Sequence, residues 1–196
     1  MLAVSHFQVS PTIPALVAAL LLTFPARAQY SGGSGTTDDP YQIATAGDLI
    51  ALGATPGDYD KHFILRADID LDPNLPGRRV FGSALITSLP AQGAVARRGV
   101  SGYQGIPFTG VLDGNDHEIR NLVITAPRGG STGSPGTYVG LIAQIGAEGQ
   151  VKHLGLENVS IDAEWCVGAA AGENRGMVLS CHSSGRVTGF GNIGGL

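Results

Sequence analysis

Two groups of aspartates are the first candidates for a functional site. Asp68, Asp70 and Asp72 alternate with Ile69 and Leu71, so on a strand the three carboxylates share one face, and clustered carboxylates suit a hard cation such as calcium. The EF-hand pattern fails, because Pro73 stands where its glycine belongs and Arg79 where its bidentate glutamate belongs. A solvated outer face explains the same alternation. Asp113 and Asp116 flank Gly114-Asn115, a tight turn in which Asp and Asn cap backbone amides. Paired carboxylates are also the acid and base of glycoside hydrolysis. His117, His153 and His182 fall in different columns of the repeat described below and predict no metal ladder.

Other spellings of catalytic motifs fail on context. Gly189-x-Gly191-x-x-Gly194 matches a dinucleotide fingerprint, but that fingerprint needs a helix after it and only two residues follow. Gly129-x-Ser131-x-Gly133 spells a nucleophile elbow, yet Pro135 and Gly136 occupy the place of the helix start. Both read as glycine-rich turns. Trp165 and Tyr138 lie at repeat boundaries, where a sugar-stacking platform and packing against the next repeat compete as explanations. Asn158-Val159-Ser160 is a glycosylation sequon. Cys166 and Cys181 are two residues only, too few for a disulfide framework and spaced for no zinc pattern, with a single bridge left open.

An internal repeat reveals the scaffold that carries these groups. Tyr138-Val139-Gly140-Leu141 recurs as Cys166-Val167-Gly168-Ala169 and as Asn192-Ile193-Gly194-Gly195, with a looser copy at Phe108-Thr109-Gly110-Val111. Each copy runs through a polar turn into a second apolar stretch, which places Ile119, Val151 and Val178 in one column and Leu122, Leu154 and Cys181 in another. One strand-turn-strand unit cannot bury its apolar side except against its neighbours, so such periods predict a solenoid. Upstream, Phe63 to Asp72 alternates strictly and predicts one half-buried strand. Thr45 to Gly53 predicts a short helix with Thr45 as its N-cap, covering the first coil. Residues 82–107 and 126–137 are rich in glycine, serine and proline and predict projecting loops.

Composition narrows the class. Of 196 residues 30 are glycine, 14% are charged and the net charge is −4, which excludes a charged coiled coil, a basic nucleic-acid arm and an acidic disordered tail. Arg78-Arg79 and Arg97-Arg98 are the only basic doublets, so nucleic acid is not an expected partner. Ala15 to Phe24 is an apolar run ending at Ala26-Arg27-Ala28, which predicts a signal peptide over residues 1–28 with cleavage after Ala28. The run is too short and too punctuated by proline for a transmembrane span.

The lead Gly33-Ser34-Gly35-Thr36-Thr37-Asp38-Asp39-Pro40-Tyr41-Gln42-Ile43, the strand Ala67-Asp68-Ile69-Asp70-Leu71, the segment Phe108 to Ile119 and the Val-Gly-Leu and Ile-Gly-Gly-Leu starts together resemble the GLUG-motif family. These are secreted bacterial chains on a right-handed β-helix, grouped with adhesin-like and filamentous-haemagglutinin-like surface proteins. The resemblance covers nearly all of residues 31–196. It departs at Cys166 to Gly172, where alanines replace the usual Gly-Leu-Val.

The expectation is an all-β chain: a right-handed parallel β-helix with a short N-terminal capping helix, a cap region over 29–62 and coils over 63–196. The repeat breaks off at Leu196, which predicts a solenoid cut short there and self-association through its open last coil. The family shares no catalytic set. No catalytic, cofactor-binding or metal-binding residue is therefore assigned, and the expected role is non-catalytic adhesion, or binding of a polysaccharide or other cell-surface ligand. The alternatives are a polysaccharide lyase or hydrolase with a groove lined by Asp68, Asp70 and Asp72 or by Asp113 and Asp116, and a structural spacer.

Overall fold

The computed structural model describes residues 29–88, 103–127 and 137–196. The signal-peptide segment, the Gly129-x-Ser131-x-Gly133 spelling and Arg97-Arg98 lie outside the described residues.

Apolar residues in this chain alternate for only a few positions before glycine, asparagine or proline interrupts them, and the strands are short for that reason. The first sheet takes β1 (Tyr41–Ile43), β2 (His62–Leu65), β4 (Val111–Asp113), β8 (Gln150–Lys152) and β12 (Met177–Leu179), in that order. The second takes β3 (Ile69–Asp70), β5 (Glu118–Arg120), β9 (Gly155–Asp162) and β13 (His182–Thr188), with β6 (Val123–Thr125) also on β9. Two-stranded sheets join β7 (Ile142–Ile145) to β11 (Ala171–Asn174) and β10 (Trp165–Val167) to β14 (Gly191–Ile193). Every one of these strand pairs is parallel.

The expected single right-handed parallel β-helix is corrected by this layout. The described strands are divided among several short parallel sheets of unequal size instead of forming one regular coil stack. The repeat is developed fully only toward the C-terminus. Upstream, the contacts that would continue the two-stranded sheets shrink to isolated bridges, Ile86 with Ile142 and Phe108 with Ile145.

Register corrects the column assignments as well. Val151 pairs with Val178 as expected, but Leu112, not Ile119, completes that column. Ile119 pairs with Ile69 and Leu156. Leu122 accepts from the Ser160 amide and so stands apart from Leu154 and Cys181. Val139, Val167 and Ile193 do share a column, whereas the looser copy beginning at Phe108 falls outside it, with Phe108 bridged to Ile145.

The run from Phe63 to Asp72 is two strands and not one. Its alternation survives, with Phe63, Leu65, Ile69 and Leu71 buried, but the backbone turns between β2 and β3 and passes from the first sheet to the second. The helix α1 spans Ala46–Ala54, with Thr45 as N-cap in a reciprocal capping box with Asp48. Leu49 and Leu52 are its fully buried residues. Inside, Tyr30, Tyr41, Phe63, Phe108 and Tyr59 form a run of tilted and edge-on rings with centroids 4.6–6.2 Å apart.

Candidate functional site

Alternation in β2, β4 and β8 buries Phe63, Leu112 and Val151 and turns their neighbours outward. Two outward rows cross the three strands, His62 with Val111 and Gln150, and Ile64 with Asp113 and Lys152. With Thr37 and Pro40 they line an open cleft of about 260 Å³. Asp113 is its polar centre. Its Oδ2 lies 3.1 Å from Lys152 Nζ, its Oδ1 lies 3.2 Å from His153 Nδ1, and the same Oδ1 accepts from the Asn115 amide at 2.9 Å. Burial pushes the Asp113 carboxyl upward, but the Asn115 amide, Lys152 and His153 outweigh it and hold the group below the usual carboxylate range.

The outer face of β3, β5, β9 and β13 carries a second charged array. Asp68 Oδ1 accepts from the Glu118 amide at 3.1 Å, and this contact, with His117 and Arg120, keeps Asp68 ionised. Arg120 also grips Glu118 Oε2, through Nε at 2.8 Å and a terminal nitrogen at 2.7 Å. Arg120 stands in register with Asp70 and Glu157. Glu118 and His182 both stand in register with Gly155. Glu157 completes the group, with Oε1 3.4 Å from His182 Nε2 and Oε2 accepting from Ser184 Oγ at 2.5 Å.

The three aspartates expected on one face do not converge. Asp70 Oδ1 accepts from the Asn121 side chain and the Asp72 amide, which together lower its pKa, while Asp72 turns to Asn74. Nor do Asp113 and Asp116 act as a pair: Asp116 sits at a left-handed turn position with its amide on the His153 carbonyl. Cys166 and Cys181 are both free, and burial pushes the Cys181 thiol up. The Asn158 side-chain amide donates to Asn121 Oδ1 at 2.7 Å. Trp165 is 45% exposed, lying across the backbone of Gly191, and Tyr138 packs edge-on against Tyr103.

Sequence reasoning missed Lys152, Glu118, Glu157 and Arg120. The signal was register: with Ile119 placed opposite Leu156, Glu118 and His182 fall together over Gly155.

Acid sensitivity follows from these carboxylates. Asp68, Asp70 and Asp113 have folded pKa values below their ordinary ones, so each contributes stability that is present above the unfolded value of about 3.9 and lost as pH falls through the lowered folded values. The urea midpoint is expected to hold between about pH 5 and 7 and to drop below about pH 4. Asp113→Asn should flatten part of that acid limb, as read from midpoints at each pH.

No family model matches the chain. Over 170 residues it is 35% identical to Halomucin of Haloquadratum walsbyi, a match covering 84% of this chain and 2% of that protein. Over 156 residues it is 31% identical to a "Putative Gly-rich membrane protein" of Evansella cellulosilytica, covering 76% of this chain and 15% of that protein. The chain thus spans a small part of either relative. A crystal structure of a "putative immunoglobulin A1 protease" from Bacteroides ovatus matches with a TM-score of 0.51 at 18% identity, over 81% of this chain and 41% of that one. That likeness is one of fold. Among the described residues no helix is long and apolar enough to cross a membrane.

Proposed function

We propose that the chain is an exported, non-catalytic module of GLUG-motif type that binds a polysaccharide or other hydroxyl-rich surface ligand in the cleft over β2, β4 and β8. The observation that carries this reading is the cleft's chemistry. Three adjacent strands present His62, Gln150, Lys152 and Asp113 along an open surface, which offers donors and acceptors to hydroxyl groups without enclosing them. The carboxylates of the cleft favour binding over hydrolysis: Asp113 is the single one among its lining residues, whereas glycoside hydrolysis uses a pair.

Export rests on the apolar run before Ala28 and agrees with the name of the Evansella relative, a membrane protein. A surface location follows in this reading. Neither relative's name specifies a ligand.

A panel of immobilised neutral and acidic polysaccharides tests the reading. Binding without turnover is expected, weakened about tenfold or more by Lys152→Ala and by Asp113→Asn. Release of new reducing ends or unsaturated sugars, abolished by Asp113→Asn, would make the chain a hydrolase or lyase instead. A folded chain that binds nothing on the panel would leave it a spacer.

A further inference from the structure

We infer that Glu118, Glu157 and His182 form a binding site for a divalent transition-metal ion, with zinc as the representative. Their ligand atoms lie within 4.8 Å of one another, and no other group of three or more His, Cys, Asp or Glu side chains converges in this way among the described residues. Two carboxylates and one imidazole are a zinc-type donor set, and three protein ligands leave a fourth position open to water or to a ligand. Zinc bonds of about 2.0–2.2 Å at tetrahedral angles set ligand atoms about 3.3–3.6 Å apart. Glu157 Oε1 and His182 Nε2 already stand at 3.4 Å, and the widest separation in the group, at most 4.8 Å, closes by up to about 1.5 Å through side-chain rotation.

The site is built on a notch. Glu118 and His182 are in register with the same residue, Gly155. A Cβ there would sit 2.7 Å from Glu118 Cγ and 2.8 Å from His182 Cε1. The missing side chain is what lets a carboxylate from β5 and an imidazole from β13 approach each other across β9. Glu157, two residues along β9, faces the same way as Gly155 and already touches His182. Arg120 holds Glu118 through Oε2, and the ion takes the other oxygen. Ser184 holds Glu157 through Oε2, orienting Oε1 toward His182 as an outer partner orients a metal ligand. Arg120 offsets part of the charge of the two carboxylates, and the ion offsets the rest.

Zinc chloride titrated into the whole chain, followed by calorimetry and by the thermal midpoint, tests the site. The expected result is one zinc per chain, a midpoint that rises with zinc concentration, and reversal by a chelator. His182→Ala and Glu157→Gln should each weaken binding by at least the tenfold to hundredfold (approximately) that losing even an outer partner costs. Gly155→Ala should do the same while leaving all three ligands in the sequence. His153→Ala, which removes an imidazole elsewhere, should bind zinc as the unaltered chain does. Far-UV circular dichroism confirms the fold of each variant, and Gly155→Ala and Glu157→Gln keep the test decisive should His182→Ala fail to fold. An unaltered chain that gives no zinc heat and no midpoint shift overturns the site. Equal zinc binding by the unaltered chain and all three site variants overturns it too. Polysaccharide binding is read separately, on the other sheet, so either proposal can fail without the other.

Discussion

Replacing Phe63 by alanine is expected to lower the unfolding free energy by about 3–5 kcal/mol and the thermal midpoint by roughly 6–20 °C. Phe63 is 1% exposed and lies on β2 between Tyr41 and Leu112 in register. Its ring centroid is 5.5 Å from both Tyr30 and Tyr41 and 6.2 Å from Phe108. Truncation therefore removes one ring from three aromatic contacts, each worth about 0.5–1.5 kcal/mol beyond the area it buries. The void cannot close easily, because Tyr41 and Leu112 are fixed by ladders on both sides of β2 and interiors relax only in part. Phe63→Leu keeps most of the volume and should cost less than half as much. Chemical denaturation followed by circular dichroism measures both. A loss under about 1 kcal/mol for the alanine variant would mean that the aromatic run lies outside the cooperative core. Ile64, the next residue, stands in register with Asp113, so the same variant should also loosen the cleft.

Local patterns in the sequence foretold local structure well. The alternation at Phe63, Leu65, Ile69 and Leu71 identified the buried face, because a period of two is a property of each strand by itself. Thr45 marked the start of α1 for the same reason: an N-cap acts within four residues, and Asp48 completes the box with it in the structure. Register between distant strands was harder. The Val-Gly starts aligned Val139, Val167 and Ile193 correctly, since nearly equal spacing separates them. Leu112 pairs with Val151 across a longer stretch than separates Val151 from Val178, so one copy of the repeat carries an insertion that spacing alone does not locate. A shifted register moves every residue in a column. It put Ile119 opposite Val151 and hid the meeting of Glu118 with His182. The corner between β2 and β3 was equally silent, because a chain can change sheets without breaking its inside-outside alternation.

The same close stacking predicts that Gly110→Ala costs about 3 kcal/mol or more, although it adds a single methyl group. A Cβ at Gly110 would stand 2.0 Å from the Lys61 carbonyl oxygen and 2.9 Å from the Lys61 nitrogen. Both are backbone atoms, and no rotamer change relieves the clash. The chain would have to part at this point, yet it is stitched on both sides. The amides of Thr109 and Gly110 donate to the Tyr59 carbonyl, Val111 donates to Lys61, and Gln150 donates to Gly110, at 2.7–3.1 Å. Separation by the width of a methyl group sacrifices several of these bonds, each worth about 0.5–1.5 kcal/mol net. Gly57→Ala is the matched control, since nothing lies within 4 Å of its Cβ position, and it should change stability by no more than about 0.5 kcal/mol. Gly110 also opens the segment that carries Asp113, whose pairing with Lys152 depends on β4 keeping its place against β8. Urea unfolding and polysaccharide binding, measured on the same Gly110→Ala preparation, should therefore fall together. Stability lost with binding intact would place the ligand away from β4, whereas stability equal to that of Gly57→Ala would mean that β2 and β4 stand farther apart than a glycine contact requires.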